Sequence, residues 1–208
     1  MIQRFFVTGT DTGVGKTLVS SILTLALSGS YWKPIQSGIA DEESEQEKVR
    51  ALTGLEKEFI FPSTYSLKAS LSPDQAAKRE AISIDLKKII LPETSRALIV
   101  EGAGGVFVPL NATETILDLI KQLNFPVIIV SRGGLGTINH TLLTIEALRN
   151  RQLTIHGVIF SGELNPENQD AIEKFGKVRT LFHVPFFEKI EIKNWVKEQR
   201  ETILEGLR

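Results

Sequence analysis

Thr8-Gly-Thr-Asp-Thr-Gly-Val-Gly-Lys-Thr17 decides the fold of this 208-residue chain. It follows the apolar run Phe5, Phe6, Val7 and precedes Leu18, Val19, Ile22, Leu23, Leu25, Ala26. Strand, glycine-rich turn and helix in that order is the context in which a Gly-Lys-Thr triplet reads as a phosphate-binding loop. The backbone N–H groups of such a turn point inward at a helix start, where the dipole also favours an anion. Gly13, Val14, Gly15 and Leu18 therefore frame a nucleotide phosphate. Lys16 is placed for the β- and γ-phosphates, and the Thr17 hydroxyl for Mg²⁺. The loop departs from the usual pattern in one respect, since Thr10 stands six residues before Lys16 and Gly9 lies one place earlier.

Apolar, largely β-branched runs recur at Phe5–Val7, Tyr31–Trp32, Ala97–Val100, Val127–Val130, Ile155–Phe160 and Thr180–Val184. Helical spacing separates them at Leu18–Leu27, Leu86–Ile90, Ile116–Leu123, Leu142–Leu148, Ala171–Phe175 and Trp195–Leu207. Continuous apolar strands alternating with helices predict an α/β, three-layer architecture: a mostly parallel sheet with helices on both faces, of the P-loop NTPase kind. Ligands of such sheets bind at the loops after the strands. The polar run Asp41–Glu47 reads as a loop or a helix start. A single domain spanning 1–208 is expected, because no composition shift or linker divides the chain.

Composition narrows the class. Hydrophobic residues make up 42% and charged residues 24%, with a net charge of −1, which favours neither nucleic acid nor an anionic membrane as partner. The chain has no cysteine, hence no disulfide framework and no thiol chemistry. Met-Ile-Gln-Arg-Phe-Phe-Val leads directly into the first strand, leaving no room for a signal peptide, so a cytoplasmic enzyme is expected.

Three further motifs fall on the loops that the parallel-sheet rule selects. Val100-Glu-Gly-Ala-Gly-Gly105 delivers a carboxylate at a strand end and then glycines. Glu101 is placed to complete a Mg²⁺ site, and Gly102, Ala103, Gly104 allow close approach of backbone to ligand. Lys33-Pro-Ile-Gln-Ser-Gly38 displays a lysine whose charge can offset that on a transferred phosphoryl group or an anionic acceptor, with Ser37 as a hydrogen-bonding neighbour. Leu135-Gly-Thr-Ile-Asn-His140 opens a helix, capped by Thr137 or Asn139, whose free N–H groups suit a carboxylate. His140, His156 and His183 lack metal-ligand spacing, and no Gly-x-Ser-x-Gly elbow occurs.

Together these four motifs resemble the dethiobiotin synthetase family, over nearly the whole chain. The resemblance implies an ATP-dependent cyclo-ligase that joins CO₂ to 7,8-diaminopelargonic acid in biotin synthesis, with Mg²⁺, in a single P-loop synthetase domain. It implies a carbamate on one amine, its phosphorylation by ATP, and attack by the second amine. Carried over by position, Lys33, Lys16 and Thr12 are catalytic, with Thr12 beside the phosphates. Thr17, Glu45 and Glu101 hold Mg²⁺, and Ser37 and Thr12 contact the diamine. Gly136, Thr137, Ile138 and Asn139 bind its carboxylate across a homodimer interface. Ser161, Gly162, Pro185, Phe186 and Phe187 lie on the base side of the nucleotide.

Two positions depart from the family's pattern. An Asp is usual where Glu45 stands, and Glu47 or Asp41 can supply that carboxylate instead. An Asn that reads adenine is usual where Ser161 stands, and a serine cannot make the same paired contact. Two rival classes remain: a regulatory ATPase switch, which shares the loop but whose hallmark lysine is replaced here by Asp11, and a small-molecule kinase, for whose arginine-bearing lid the sequence shows no obvious segment.

Overall fold

The computed structural model describes residues 2–187 and 191–208. Nine strands and seven α-helices lie within them, in the order β1 (Arg4–Gly9), α1 (Lys16–Ala26), β2 (Ser30–Trp32), β3 (Ile35–Ser37), α2 (Glu45–Thr53), β4 (Ile60–Phe61), β5 (Tyr65–Leu67), α3 (Pro73–Arg79), β6 (Leu98–Glu101), α4 (Ile116–Leu123), β7 (Val127–Arg132), α5 (Thr137–Asn150), β8 (Ile155–Ser161), α6 (Pro166–Gly176), β9 (Thr180–Val184) and α7 (Ile192–Gly206). Seven strands form one sheet in the order β4-β2-β6-β1-β7-β8-β9, and β3 and β5 form a separate pair. Every pairing is parallel.

Alternation along the strands divides the core between two faces. On β1, Phe5 and Val7 join Ile22 and Leu23 of α1 and Val196 and Ile203 of α7. Phe6, one residue out of phase, joins Ile120 of α4 and Ile145 and Leu148 of α5. Each face thus has its own apolar layer, which is why the strands read as unbroken hydrophobic runs. The three-layer α/β expectation holds, and β1 occupies the centre with the phosphate loop at its C-terminal end.

The short elements depart from expectation. Leu86–Ile90 is no α-helix: only a 3₁₀ turn forms, at Leu86–Lys88. Its apolar side chains Leu86 and Ile89 are buried nonetheless, so burial and helical spacing came apart there. Strands β3, β4 and β5 and helix α3 have no counterpart in the hydrophobic pattern, being two to seven residues long. Asp41–Glu47 resolves into a turn followed by the first residues of α2. Ser44 and Glu47 form a reciprocal capping box there, so Glu45 is the first helical residue.

Candidate active site

The phosphate loop starts from backbone geometry. Gly13 and Gly15 hold positive φ, 73° and 94°, a region that costs other residues strain. At Gly15 a side chain would also collide with Ser161, whose Oγ lies 2.5 Å from an ideal Cβ. Gly15 is the N-cap of α1 and no side chain caps that helix, so its first N–H groups remain available to an anion. Val14 anchors the loop in the core at 4% exposure. Leu18, on the first turn of α1, packs against the same apolar layer.

Five residues, from the end of β2, from β6 and from the starts of α1 and α2, converge beside this loop. Glu101, at the end of β6, is fully buried. Its Oε1 accepts from Lys33 Nζ at 2.9 Å and from the Thr17 hydroxyl at 3.1 Å, and its Oε2 accepts from the Tyr31 hydroxyl at 3.1 Å. Thr17 Oγ1 also donates to Glu45 Oε2, and Lys33 Nζ lies 4.0 Å from Glu45 Oε1. One hydroxyl has one hydrogen and cannot serve two carboxylates fully. Thr17, Glu45 and Glu101 thus gather hard oxygen donors around one point.

The cations are sealed as tightly as the anions. Lys16 and Lys33 are each 7% exposed. Lys16 Nζ folds back onto the Asp11 carbonyl at 2.9 Å, inside the loop it serves. Burial pulls the Lys16 pKa below its ordinary value, against the opposing charge of Glu101. An arriving phosphate supplies the missing counter-charge. For Glu45, burial favours the neutral acid, but the Lys33 charge and the Thr17 hydrogen bond outweigh it and hold the carboxyl below its usual range.

The three candidate acids separate by what they touch. Glu47 turns back to accept from the Ser44 backbone and hydroxyl, and Asp41 accepts from Ser70 at 2.7 Å. Glu45 alone among them reaches Thr17. It is held there by Gln36, whose Oε1 accepts from the Glu45 backbone N–H at 3.1 Å. Gln36 and Tyr31 were not singled out from the sequence. The available signal was spacing: Tyr31 and Lys33 are two apart in an extended segment and share a side.

Oxygen donors, two of them carboxylates, fit Mg²⁺, which is commonly bound by one or two carboxylates together with substrate phosphates. No group of three or more His, Cys, Asp or Glu suited to a metal occurs among the described residues.

Around this centre lie the remaining candidates. A Cβ on Gly102 would come within 2.9 Å of the Phe6 ring, and one on Gly104 would stand 3.7 Å from Thr12 Oγ1, so the Gly102-Ala103-Gly104 loop runs alongside the phosphate loop. Ser37 Oγ is buried without a hydrogen-bond partner among the described residues. Helix α5 starts at Gly136 with no side-chain cap, contrary to the expectation for Thr137 or Asn139. Thr137 is instead its first helical residue and shares its hydroxyl with Ser131 at 2.6 Å, which leaves the helix start open at Ile138 and Asn139. Gly162 ties the last two strands together, its N–H donating to the Val184 carbonyl and its own carbonyl meeting His183 Nε2 at 2.7 Å. That tie brings Pro185 near Ser161. Phe186 is 81% exposed, whereas Phe187 meets Trp195 edge-on at 5.7 Å. A cleft of about 320 Å³ opens between Thr12, Phe107, His140 and Leu143. No helix among the described residues is long and apolar enough to cross a membrane.

A family model described as "AAA domain" matches residues 3–194. An ATP-dependent dethiobiotin synthetase of Christiangramia forsetii is 43% identical over 208 residues, covering 99% of this chain and 100% of that protein. One of Nitrobacter hamburgensis is 46% identical over 185 residues, covering 89% and 87%. A biotin biosynthesis bifunctional protein of Bordetella avium is 47% identical over 196 residues, and this chain spans 42% of its length. Among solved structures, a ParA family ATPase of Chlorobium tepidum superposes with a TM-score of 0.56 at 14% identity, over 99% of this chain and 90% of that one. The septum site-determining protein MinD of Pyrococcus horikoshii superposes at 0.53 with 19% identity, over 100% and 87%. At that identity the two structures speak for the fold alone.

Proposed function

The chain belongs to the dethiobiotin synthetase family, and from that premise we propose that it closes the cyclic urea of dethiobiotin from 7,8-diaminopelargonic acid, CO₂ and ATP. The observation that carries this reading is the buried Lys33–Glu101 pair at 2.9 Å, set against Thr17 of the phosphate loop. A fixed cation held beside the phosphate loop suits a phosphoryl transfer to a bound anion.

The chemistry runs in three balanced steps. One substrate amine adds to CO₂ and loses a proton, giving a carbamate. A carbamate oxygen attacks the γ-phosphorus, the bond to the β-bridging oxygen breaks, and ADP leaves. The second amine then attacks the carbonyl carbon of the carbamic–phosphoric anhydride. A C–N bond forms, the C–O bond to phosphate breaks, the attacking nitrogen gives up a proton to the departing phosphate or to water, and the ring is closed.

Lys16 binds the β- and γ-phosphates, helped by the free N–H groups of Gly13, Val14 and Gly15. Lys33 offsets charge on the carbamate and the moving phosphoryl group. Ser37 and Thr12 orient the diamine, and the open start of α5, Gly136 to Asn139, receives its carboxylate. Thr17, Glu45 and Glu101 would hold Mg²⁺, which would supply neutralisation of phosphate charge. The base rests near Ser161, Gly162 and the Pro185–Phe187 segment. The active form is a homodimer in the cytoplasm. The fully exposed Leu135 beside the α5 start, with Phe107 and Leu143 also exposed along the cleft, supports the dimer.

The deciding assay supplies diaminopelargonic acid, bicarbonate, Mg²⁺ and ATP. Dethiobiotin with stoichiometric ADP is expected. ADP release independent of the diamine favours a regulatory switch, and a phosphorylated diamine as end product favours a kinase.

A further inference from the structure

A second cleft, of about 300 Å³, lies at the opposite end of the sheet from the phosphate loop. Ile155 and His156 open β8, Arg179 immediately precedes β9, Arg149 is on the last turn of α5, and Lys177 follows α6. All five line the cleft, with Leu153 as part of its apolar floor. No carboxylate does.

Three cations therefore face one concavity without an acidic partner. None of Arg149, Lys177 and Arg179 takes part in an ion pair among the described residues, whereas Arg132 and Arg151 each do. The chain as a whole carries a net charge of −1, so this is a local concentration of positive charge and not a basic protein. Two of the three are held in place by their own backbone neighbours. Arg149 Nη2 donates to the Lys177 carbonyl at 3.0 Å, and Arg179 Nε to the His156 carbonyl at 3.5 Å. A guanidinium has five N–H donors, so each keeps others for a ligand in a fixed fork. His156, whose ring lies 4.7 Å from that of Phe5 at a tilt of 51°, has a buried Nε2 with no hydrogen-bond partner among the described residues. Burial chiefly, and then the nearby Arg179 charge, lower its pKa.

We propose that the Arg149–Lys177–Arg179 cleft binds a small multivalent oxyanion, a phosphate-bearing metabolite, at a site separate from the nucleotide. Arg forks match phosphate oxygens in pairs, and a lysine adds a point charge. The apolar floor accepts the carbon portion of such a ligand, and the volume of about 300 Å³ admits a pyrophosphate-sized anion.

The test uses the full chain saturated with ADP and Mg²⁺, so that the phosphate loop is filled. Inorganic pyrophosphate is then titrated in by calorimetry and by amide chemical shifts. Saturable binding is expected, with shifts clustered at Leu153–His156 and Lys177–Arg179. The pair Arg149→Gln and Arg179→Gln should weaken it at least tenfold and leave ADP affinity unchanged. Each single variant is measured too, so that a misfolded double variant does not decide the matter. Non-saturating heats, shifts confined to the phosphate loop, or parent-like affinity in both single variants would overturn the proposal. Because the readout is binding in the presence of ADP, it stands or falls independently of whether the chain makes dethiobiotin.

Discussion

The hydroxyl of Tyr31 donates to Oε2 of Glu101 at 3.1 Å, and both residues are sealed from solvent. Lys33, two residues on, meets the other oxygen of the same carboxylate at 2.9 Å. One strand end therefore fixes both oxygens of a buried acid. Tyr31 never needs to touch the nucleotide to matter, because it sets the direction in which Glu101 faces Thr17 and Glu45.

Replacing Tyr31 by Phe keeps the ring and removes that bond. Partners behind a metal ligand commonly account for about 10–100-fold in metal affinity or activity. The Mg²⁺ concentration for half-maximal turnover should therefore rise at least several-fold, while kcat at saturating Mg²⁺ changes less. Calorimetric titration of Mg²⁺ into the ADP complex should move in parallel. An unchanged Mg²⁺ requirement would reduce Tyr31 to a packing residue.

Lys33→Ala should lower kcat by roughly 10²–10³, the scale of removing one group that stabilises charge in the transition state. ADP affinity should change only a few-fold, since the loss falls on an interaction strongest as the phosphoryl moves. The variant also strands Glu101 as a buried charge, a situation that costs about 3–5 kcal/mol of stability. Lys33→Ala combined with Glu101→Gln should recover part of the lost melting temperature without recovering kcat. Recovery of turnover in the double variant would mean that Lys33 acts through stability.

The central sheet was legible because its strands are buried on both sides and so read as continuous apolar runs, Val127–Val130 being the plainest. Strands β3 and β5 were not, since three residues are too few to carry a period. Leu86–Ile90 misled because Leu86 and Ile89 are buried by a 3₁₀ turn of the same spacing. In the site, Lys16, Thr17, Lys33 and Glu101 announced themselves by motif. Choosing among Glu45, Glu47 and Asp41 needed more. Ser44-x-x-Glu47 is a capping-box pattern that already commits Glu47 to the helix start, leaving Glu45 free to point at Thr17. Tyr31 and Gln36 act through long-range contacts, with partners 70 and 9 residues away, which no local pattern encodes.

Ser161 sits directly against Gly15 of the phosphate loop, and its one hydroxyl offers a base less than an amide would. The absence of a paired base contact is worth on the order of 1–3 kcal/mol of selectivity. The kcat/KM values for ATP, CTP and GTP should consequently lie closer together than a site with a bidentate reader allows. Ser161→Asn should widen the gap in favour of ATP. A strong ATP preference that survives Ser161→Ala would remove this residue from base recognition.

Stability should depend on pH through Asp118, at the first turn of α4. Its carboxylate accepts from the Thr115 backbone and hydroxyl at 2.8 and 2.9 Å and pairs with Arg151 at 3.0 Å. Burial pushes its pKa up, but the Thr115 bonds and Arg151 outweigh this and hold the group below its ordinary value. A carboxyl whose folded pKa is depressed stabilises the fold fully above its unfolded pKa. That contribution is lost as pH falls through the lowered folded value. Asp118→Asn should therefore cost about 1 kcal/mol at neutral pH, the typical worth of a helix-start contact. The deficit should shrink as the pH is lowered through and below the ordinary aspartate range, where the parent protein loses the same charge. Urea melts of both proteins from pH 7 to pH 3 check this, and a gap that stays constant across that range would mean that Asp118 acts by shape and not by charge.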